Sequence, residues 1–267
     1  QTTTMADEAH RQFGWTSENG GSFVLGNQEI FNDRIEFNPP STQTAGLFAS
    51  FEPRGTLEKW KETIDFYNRD GFELHQFVVG TSFGSTLMQF SPIKCAALHI
   101  YSKDSGVGKT TAMEAGVSVW GKPEDLITTE RDTYNTKMNR GEVYHNLPLY
   151  MDELTNSHGR ELSNLAYQLT GGRQRGRMAS GSNTERHRGE AWSLLSVTTG
   201  NTSIIERISI LKAMPKAEAQ RILECRVKRM HFETKEETDR FSAAVQDNYG
   251  HAGIKYVQYL MNNLDDA

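Results

Sequence analysis

The chain has 267 residues and a mass of 30.1 kDa, enough for one large domain or one domain with a modest extension. Its hydrophobic content of 36% supports a buried core and excludes wholesale disorder. Because its net charge is −5, any nucleic-acid partner must bind to a local basic patch. No apolar run approaches the roughly 18 residues of a transmembrane helix, and a signal-peptide pattern is missing from the N-terminus. Cys95 and Cys225 lie far apart in the sequence, which argues against a disulfide framework or a zinc site and favours the cytoplasm.

Residues 1–90 are predicted to form a small N-terminal α+β extension, with strands first and helices after them. Short strand-like segments at 23–25 and 35–37 lie between turns rich in Gly, Asn and Pro. A helix is expected to begin after Thr56, a residue type common at N-caps, and a more apolar segment over 72–90 favours a second helix. The glycines of that second segment predict close packing under a sheet.

The remaining part, residues 91–267, alternates apolar strand-like runs with helical patterns and ends in helices. The predicted strands are 95–101, 126–129, 147–152 and 191–199. The predicted helices between them are 109–119, 132–142 and 159–170. This alternation predicts an α/β fold with a parallel central sheet and helices on both faces. A basic strand over 225–232 and a helix capped by Thr234 are expected to follow.

A phosphate-binding loop is predicted between the first of these strands and its helix. Gly108-Lys109-Thr110 closes the pattern of a P-loop in the strand–loop–helix setting that this mechanism requires. Backbone N–H groups would cradle the phosphates, Lys109 would reach the β- and γ-phosphates, and the Thr110 hydroxyl would hold Mg²⁺. Lys103 replaces the usual first glycine. The predicted nucleotide-binding residues are Ser105, Gly106, Val107, Gly108, Lys109, Thr110 and Thr111.

The apolar run 147–151 ends in Asp152 and Glu153, the form of a Walker B strand. Asp152 is expected in the Mg²⁺ shell, and Glu153 is expected to orient and polarise the water that attacks the γ-phosphate. A kinase or a GTPase could use the same P-loop. The adjacent acidic pair favours an ATPase, and the guanine-reading sequence Asn-Lys-x-Asp of GTPases does not occur.

A further buried strand ends in Thr199, Gly200 and Asn201. A polar strand tip beside the P-loop can contact the γ-phosphate or the attacking water, as the sensor-1 strand of AAA+ ATPases does. Asn201 is the first candidate for this role and Thr199 the second. A simple turn without a catalytic role explains the same residues equally well.

Between the Walker B and sensor strands lies an insertion, residues 173–188, with five arginines and one acidic residue. Its arginines are Arg173, Arg175, Arg177, Arg186 and Arg188. Because each arginine that neutralises a phosphate releases counterions, the insertion is interpreted first as a contact to the DNA backbone. Two alternatives stay open: a phosphate-facing arginine at a subunit boundary, or a solvated loop.

Several segments together resemble an ATPase domain of phages and mobile elements that was long catalogued as a domain of unknown function. The similar segments are 55–60, 97–101, the P-loop, 112–121, 151–154 and 199–200, within an overall resemblance over roughly 20–260. That domain occurs in primase–helicase proteins and in helicases of staphylococcal cassette elements. Its members are taken to be AAA+ replicative helicases similar to the MCM or superfamily-three type.

The resemblance implies use of ATP and Mg²⁺ at Lys109, Thr110, Asp152 and Glu153. It also implies a homo-oligomer, a hexameric ring in this family type, around single-stranded DNA, with the arginine-rich insertion entering the pore. The setting implied is the cytoplasm of a bacterial cell. A primase or polymerase domain, fused or associated, is a further partner that the resemblance implies. The sequence departs from the family pattern at Lys103, and at Asn201 where an acid is expected.

Ring ATPases complete each site with an arginine from the neighbouring subunit. Arg207, Arg221 and Arg226 follow the sensor strand, where such residues commonly fall, and Arg221 or Arg226 is preferred. An exposed edge-strand position explains Arg226 nearly as well. Two other functions remain open at this point: a DNA-packaging or transposition ATPase that does not unwind DNA, and a nucleotide-gated helicase loader or binding module.

Overall fold

The N-terminal part of the chain contains an antiparallel meander. The computed structural model describes residues 10–154, 159–174, 189–211, 215–227 and 232–264. The first four strands are β1 (Gly14–Ser17), β2 (Gly20–Leu25), β3 (Gln28–Ile30) and β4 (Ile35–Phe37). They pair in chain order, each antiparallel to the next. The strand-like segments predicted at 23–25 and 35–37 are therefore confirmed.

Two helices follow the meander, α1 (Leu57–Ile64) and α2 (Glu73–Leu87). The Thr56 hydroxyl accepts a hydrogen bond from the Lys59 N–H at 3.2 Å, so the predicted N-cap is confirmed. Of the two glycines in α2, Gly84 packs under the sheet, where an added Cβ would lie 3.4 Å from Leu195. Gly80 has no such neighbour, so the expectation of close packing holds for only one of them.

The second sheet has four parallel strands, β5 (Ala96–Tyr101), β6 (Leu149–Met151), β7 (Leu195–Gly200) and β8 (Ile222–Arg226). Their spatial order is β6-β7-β5-β8, so β7 lies between the P-loop strand and the strand that leads to the acidic pair. The helices in this part of the chain are α3 (Lys109–Ser118), α4 (Pro123–Leu126), α5 (Tyr134–Tyr144), α6 (Gly159–Gly171), α7 (Ile204–Ser209), α8 (Lys216–Ala219), α9 (Lys235–Asp247) and α10 (His251–Met261). The predicted α/β class with a parallel sheet is confirmed.

The strand predicted over 126–129 is wrong in extent. Pro123 at the first helical turn, followed by two acidic residues, favours the short helix α4, and Thr128 alone makes a parallel bridge, to Met151. The strand predicted from 191 begins at Leu195, because the Trp192 N–H donates to the Gly172 carbonyl and not to a ladder partner. β8 begins at Ile222, three residues before the predicted start, and residues 228–231 of that prediction lie outside the described residues.

One hydrophobic cluster joins the meander, α2, α3 and the parallel sheet. Buried tryptophans connect these elements by hydrogen bonds as well as by packing. The Trp15 indole donates to the Thr86 carbonyl at 2.9 Å, and the Trp60 indole donates to the Ser118 hydroxyl at 2.8 Å. These bonds tie the meander to α2 and tie α1 to α3, and both α2 and α3 pack with the parallel sheet in the same hydrophobic cluster. In the part of the chain that the structure describes, no helix combines the length and the apolar character needed to span a bilayer.

Candidate active site

The loop between β5 and α3 has the backbone shape of an anion-binding cradle. Gly106 and Gly108 adopt left-handed conformations, with φ of 72° and 84°, and Lys109 begins α3. Successive N–H groups in such a loop, continued by the first turn of a helix, form a concave donor surface for phosphate. Gly108 is required for space as well, since a Cβ there would lie 2.9 Å from the Nε2 atom of His75.

Lys109 lies over this loop with only 8% of its surface exposed. Its Nζ atom donates to the carbonyls of Ser102 and Asp104, each at 3.4 Å. Within the described residues, no carboxylate lies within ion-pair distance of this ammonium group. A buried positive charge held only by neutral carbonyls is well suited to bind an anion.

Three elements meet through the carboxylate of Asp152, directly after β6. Its Oδ2 atom accepts a hydrogen bond from the Thr110 hydroxyl at 3.0 Å, and its Oδ1 atom accepts one from the Thr199 hydroxyl. A threonine hydroxyl beside one carboxylate fits Mg²⁺, which keeps several waters and takes further oxygens from substrate phosphates. Among the described residues, no group of three or more His, Cys, Asp or Glu side chains could form an all-protein metal cage.

Glu153 is held in an unusual backbone conformation beside this carboxylate. Its φ is 53°, in the left-handed region that non-glycine residues rarely adopt. Its N–H donates to the Thr199 hydroxyl at 3.1 Å, and its Oε2 atom accepts from the Asn201 amide nitrogen at 3.1 Å. Burial and the neighbouring charge of Asp152 raise the pKa of the Glu153 carboxyl, against the opposite effect of Lys109. These contacts give a fixed carboxylate with increased basicity.

The structure thus brings together the predicted residues of the P-loop, the acidic pair and the sensor strand. Thr199, the second sensor candidate, is bonded to both members of the acidic pair, and Asn201, the first candidate, contacts Glu153. Glu130 was missed by the sequence analysis, although its charge also raises the pKa of Glu153. The available signal was its place directly after the strand predicted over 126–129, since parallel strands end at one edge of a sheet.

The arginine candidates lie at different edges of the sheet. Arg226 ends β8 opposite Tyr101 of β5, so it is an exposed residue at the edge where the P-loop begins. Arg221 lies before β8, at the opposite edge, where its guanidinium donates to the Ala217 carbonyl at 2.8 Å and stacks 4.7 Å from the Tyr167 ring centre. Arg207 is a half-buried residue in the last turn of α7.

The arginine-rich insertion leaves and re-enters the fold at the edge opposite the P-loop. Arg173 is exposed two residues after α6 ends, and a backbone hydrogen bond of 2.8 Å from Trp192 to Gly172 closes the base of the insertion. The two ends of the insertion lie about 20 Å from the candidate active site, the length of the six extended residues of β7. The other predicted arginines, Arg175, Arg177, Arg186 and Arg188, lie outside the described residues.

The fold is similar to that of solved structures. One of them is the SCCmec type IV Cch protein, described as an active helicase, with a TM-score of 0.67 and 18% identity over 96% of this chain and 47% of that one. The chain therefore spans about half the length of that structure. The similarity to the apo form of the NrS-1 C-terminal region is weak, with a TM-score of 0.41 and 8% identity over 92% of this chain and 55% of that one.

The sequence comparison assigns the family. No curated protein matches the chain significantly. A family model described as Domain of unknown function (DUF927) matches residues 3–189, well over half of the chain. The chain therefore belongs to the family described as domain of unknown function DUF927.

Proposed function

We propose that the chain is the AAA+ ATPase domain of a DNA helicase from a phage or a mobile element. The observation that carries the proposal is the hydrogen-bonded set Thr110–Asp152–Thr199–Glu153 beside Lys109, at one edge of a parallel sheet. A phosphate cradle, a metal-binding pair and a fixed carboxylate are the components that hydrolysis of a nucleoside triphosphate needs. The similarity of fold to a structure described as an active helicase supports the choice of reaction.

In this proposal the chain's own residues bind ATP and activate water. The P-loop amides and Lys109 bind the phosphates, and Thr110 and Asp152 hold Mg²⁺, which when bound neutralises phosphate charge. Glu153 accepts the proton of the attacking water, for which its raised pKa is suited, since general bases work best near the ambient pH. Asn201 orients the Glu153 carboxylate through their hydrogen bond of 3.1 Å.

The DNA contact is assigned to the arginine-rich insertion, and the active unit to a hexameric ring of the MCM or superfamily-three type. Arg173 is exposed at the sheet edge opposite the P-loop, and the excess of arginine over acidic residues in this insertion supports a contact to the DNA backbone. We assign the arginine that acts on a neighbouring subunit to Arg226, because Arg226 is exposed whereas the Arg221 guanidinium is engaged within its own subunit by the Ala217 carbonyl and the Tyr167 ring. Residues 1–90 are proposed to be an extension packed on the ATPase core, 91–267, to which a primase or polymerase domain is joined or bound.

The experiment that tests the proposal measures ATP hydrolysis with single-stranded DNA and Mg²⁺ present. Lys109→Ala is expected to lose nucleotide binding, whereas Glu153→Gln is expected to bind ATP normally and to turn over about 10²- to 10⁴-fold more slowly, the usual contribution of a general base. Glu36→Gln, at an exposed carboxylate of β4, is the matched control and should hydrolyse ATP at the wild-type rate.

Wild-type turnover by Glu153→Gln would refute the assignment of the base. Hydrolysis without strand separation would instead indicate a packaging or transposition motor. Negligible hydrolysis with DNA present would indicate a loader or a nucleotide-gated binding module.

A further inference from the structure

His99 is a fully buried histidine in the middle of β5, with Thr198 of β7 and Glu224 of β8 as its neighbours in the sheet. Its Nδ1 atom lies 2.9 Å from the Thr198 hydroxyl, and its Nε2 atom lies 3.0 Å from the Thr202 carbonyl oxygen. Because a carbonyl can only accept, Nε2 carries the proton. In the neutral ring Nδ1 is then an acceptor for the Thr198 hydroxyl, which also lies 3.3 Å from the Leu98 carbonyl oxygen. Burial lowers the pKa of the ring, which favours this neutral form.

The Thr202 carbonyl belongs to the turn that presents Asn201 to Glu153. Asn201 is exposed, and the backbone of the turn brings its amide within reach of the Glu153 carboxylate. The turn is also held from β8, because the carboxylate of Glu224 accepts hydrogen bonds from the Ser203 hydroxyl and from the Ile204 N–H, the latter at 2.7 Å. The buried His99 of β5 and the half-buried Glu224 of β8 thus both hold the turn that carries Asn201.

We infer that His99 is a positioning residue for ATP hydrolysis: through its Nε2–H bond to Thr202 it sets the Asn201 amide that orients Glu153. This inference rests on the proposed function for its effect on turnover. His99 also lies three residues before Ser102, whose carbonyl accepts from Lys109, so one strand supports both the phosphate loop and the turn. The role predicts a loss of turnover without a loss of nucleotide binding, since the hydrogen bonds of the His99 ring go to Thr198 and Thr202 and not to the phosphate loop.

Two substitutions separate the two bonds of the ring. In His99→Asn the shorter side chain places its amide near the position of Nδ1, where the amide oxygen can accept from Thr198, and leaves Thr202 without its donor, whereas the amide nitrogen of Gln in His99→Gln takes the place of Nε2 and keeps that donor. His99→Asn is expected to lower kcat about 10- to 100-fold with an unchanged Kd for ATP, the effect of a misplaced catalytic group. His99→Gln should stay within about threefold of wild type.

Ser196→Ala is the matched control for loss of stability, because the buried Ser196 hydroxyl donates from β7 to the Ala96 carbonyl of β5 at 3.3 Å, away from the turn. It should leave kcat unchanged. Combining His99→Asn with Asn201→Ala should slow turnover no more than Asn201→Ala alone, because both act through one amide. The inference would be overturned if the losses of kcat in His99→Asn and Asn201→Ala multiplied in the double variant, or if His99→Asn and His99→Gln lost kcat equally. Either result would leave the proposed function intact.

Hydrogen exchange tests the inference even if the chain does not hydrolyse ATP. In His99→Asn, the amides of the segment 201–205 should exchange about tenfold faster than in the wild type, because the turn has lost one of its two attachments. His99→Gln should retain the protection of this segment. Wild-type exchange in His99→Asn would overturn the role of His99 without any reference to activity.

Discussion

Replacing Thr199 by Val should damage stability and catalysis together, because one hydroxyl holds both acidic residues. Thr199 is fully buried, donates to the Asp152 carboxylate and accepts from the Glu153 N–H. Valine has nearly the same shape, so the change removes hydrogen bonds without opening a cavity. Hydrogen bonds to charged groups contribute about 1.5–3 kcal/mol each. The Glu153 N–H keeps a second acceptor in Asp152 Oδ1 at 3.1 Å, so we expect a loss near the lower end, about 2 kcal/mol.

The effect of Thr199→Val on turnover should exceed what its stability loss explains. Glu153 stays in the left-handed region, at a cost of about 1–3 kcal/mol, only while its surroundings hold it there. Without the Thr199 hydroxyl, kcat for ATP should fall by about tenfold or more at a temperature where the variant is fully folded. The assay combines urea denaturation with steady-state hydrolysis, and Thr199→Ser, which keeps the hydroxyl, is the control. Wild-type stability and turnover in Thr199→Val would refute the role of this network.

Three further predictions concern pH, DNA and subunit contacts. Hydrolysis needs ionised Glu153, and the pKa of this carboxyl is raised above the ordinary glutamate value of 4.5. On acidification, kcat should therefore begin to fall at a higher pH than an ordinary glutamate would give, and a pH–rate profile checks this. Replacing Arg173, Arg175 and Arg177 by Ala should weaken single-stranded DNA binding and reduce its log–log salt slope by roughly one unit per lost phosphate contact, as titrations at several salt concentrations would reveal. Arg226→Ala should bind ATP yet hydrolyse it slowly, and mixing with Lys109→Ala subunits should restore some activity; an inactive mixture would contradict a role across the subunit boundary.

The phosphate loop and the acidic pair could be predicted from sequence because their chemistry is local. Gly108, Lys109 and Thr110 are consecutive, and Asp152 and Glu153 directly follow an apolar run. Such patterns need only the adjacent strand and helix to be recognised correctly. The parallel sheet followed from the alternation of elements for the same reason.

The contacts between these segments could not be predicted, because they depend on the order of strands in space. The bond from Thr199 to Asp152 exists because β7 lies between β5 and β6, which chain order does not reveal. The role of His99 depends in the same way on a neighbour from a distant segment, the Thr202 carbonyl. The strand predicted over 126–129 failed for a local reason, since Pro123 and the acidic residues after it favour a short helix.

Strand separation is the decisive measurement for the proposed helicase activity. The wild-type chain, Glu153→Gln and Lys109→Ala would each be incubated with a partly single-stranded DNA duplex, Mg²⁺ and either ATP or a non-hydrolysable analogue. We expect that only the wild type separates the strands and only with ATP, while Glu153→Gln binds the DNA without separating it. Strand separation by Glu153→Gln at the wild-type rate, or by the wild type with the analogue, would contradict this expectation.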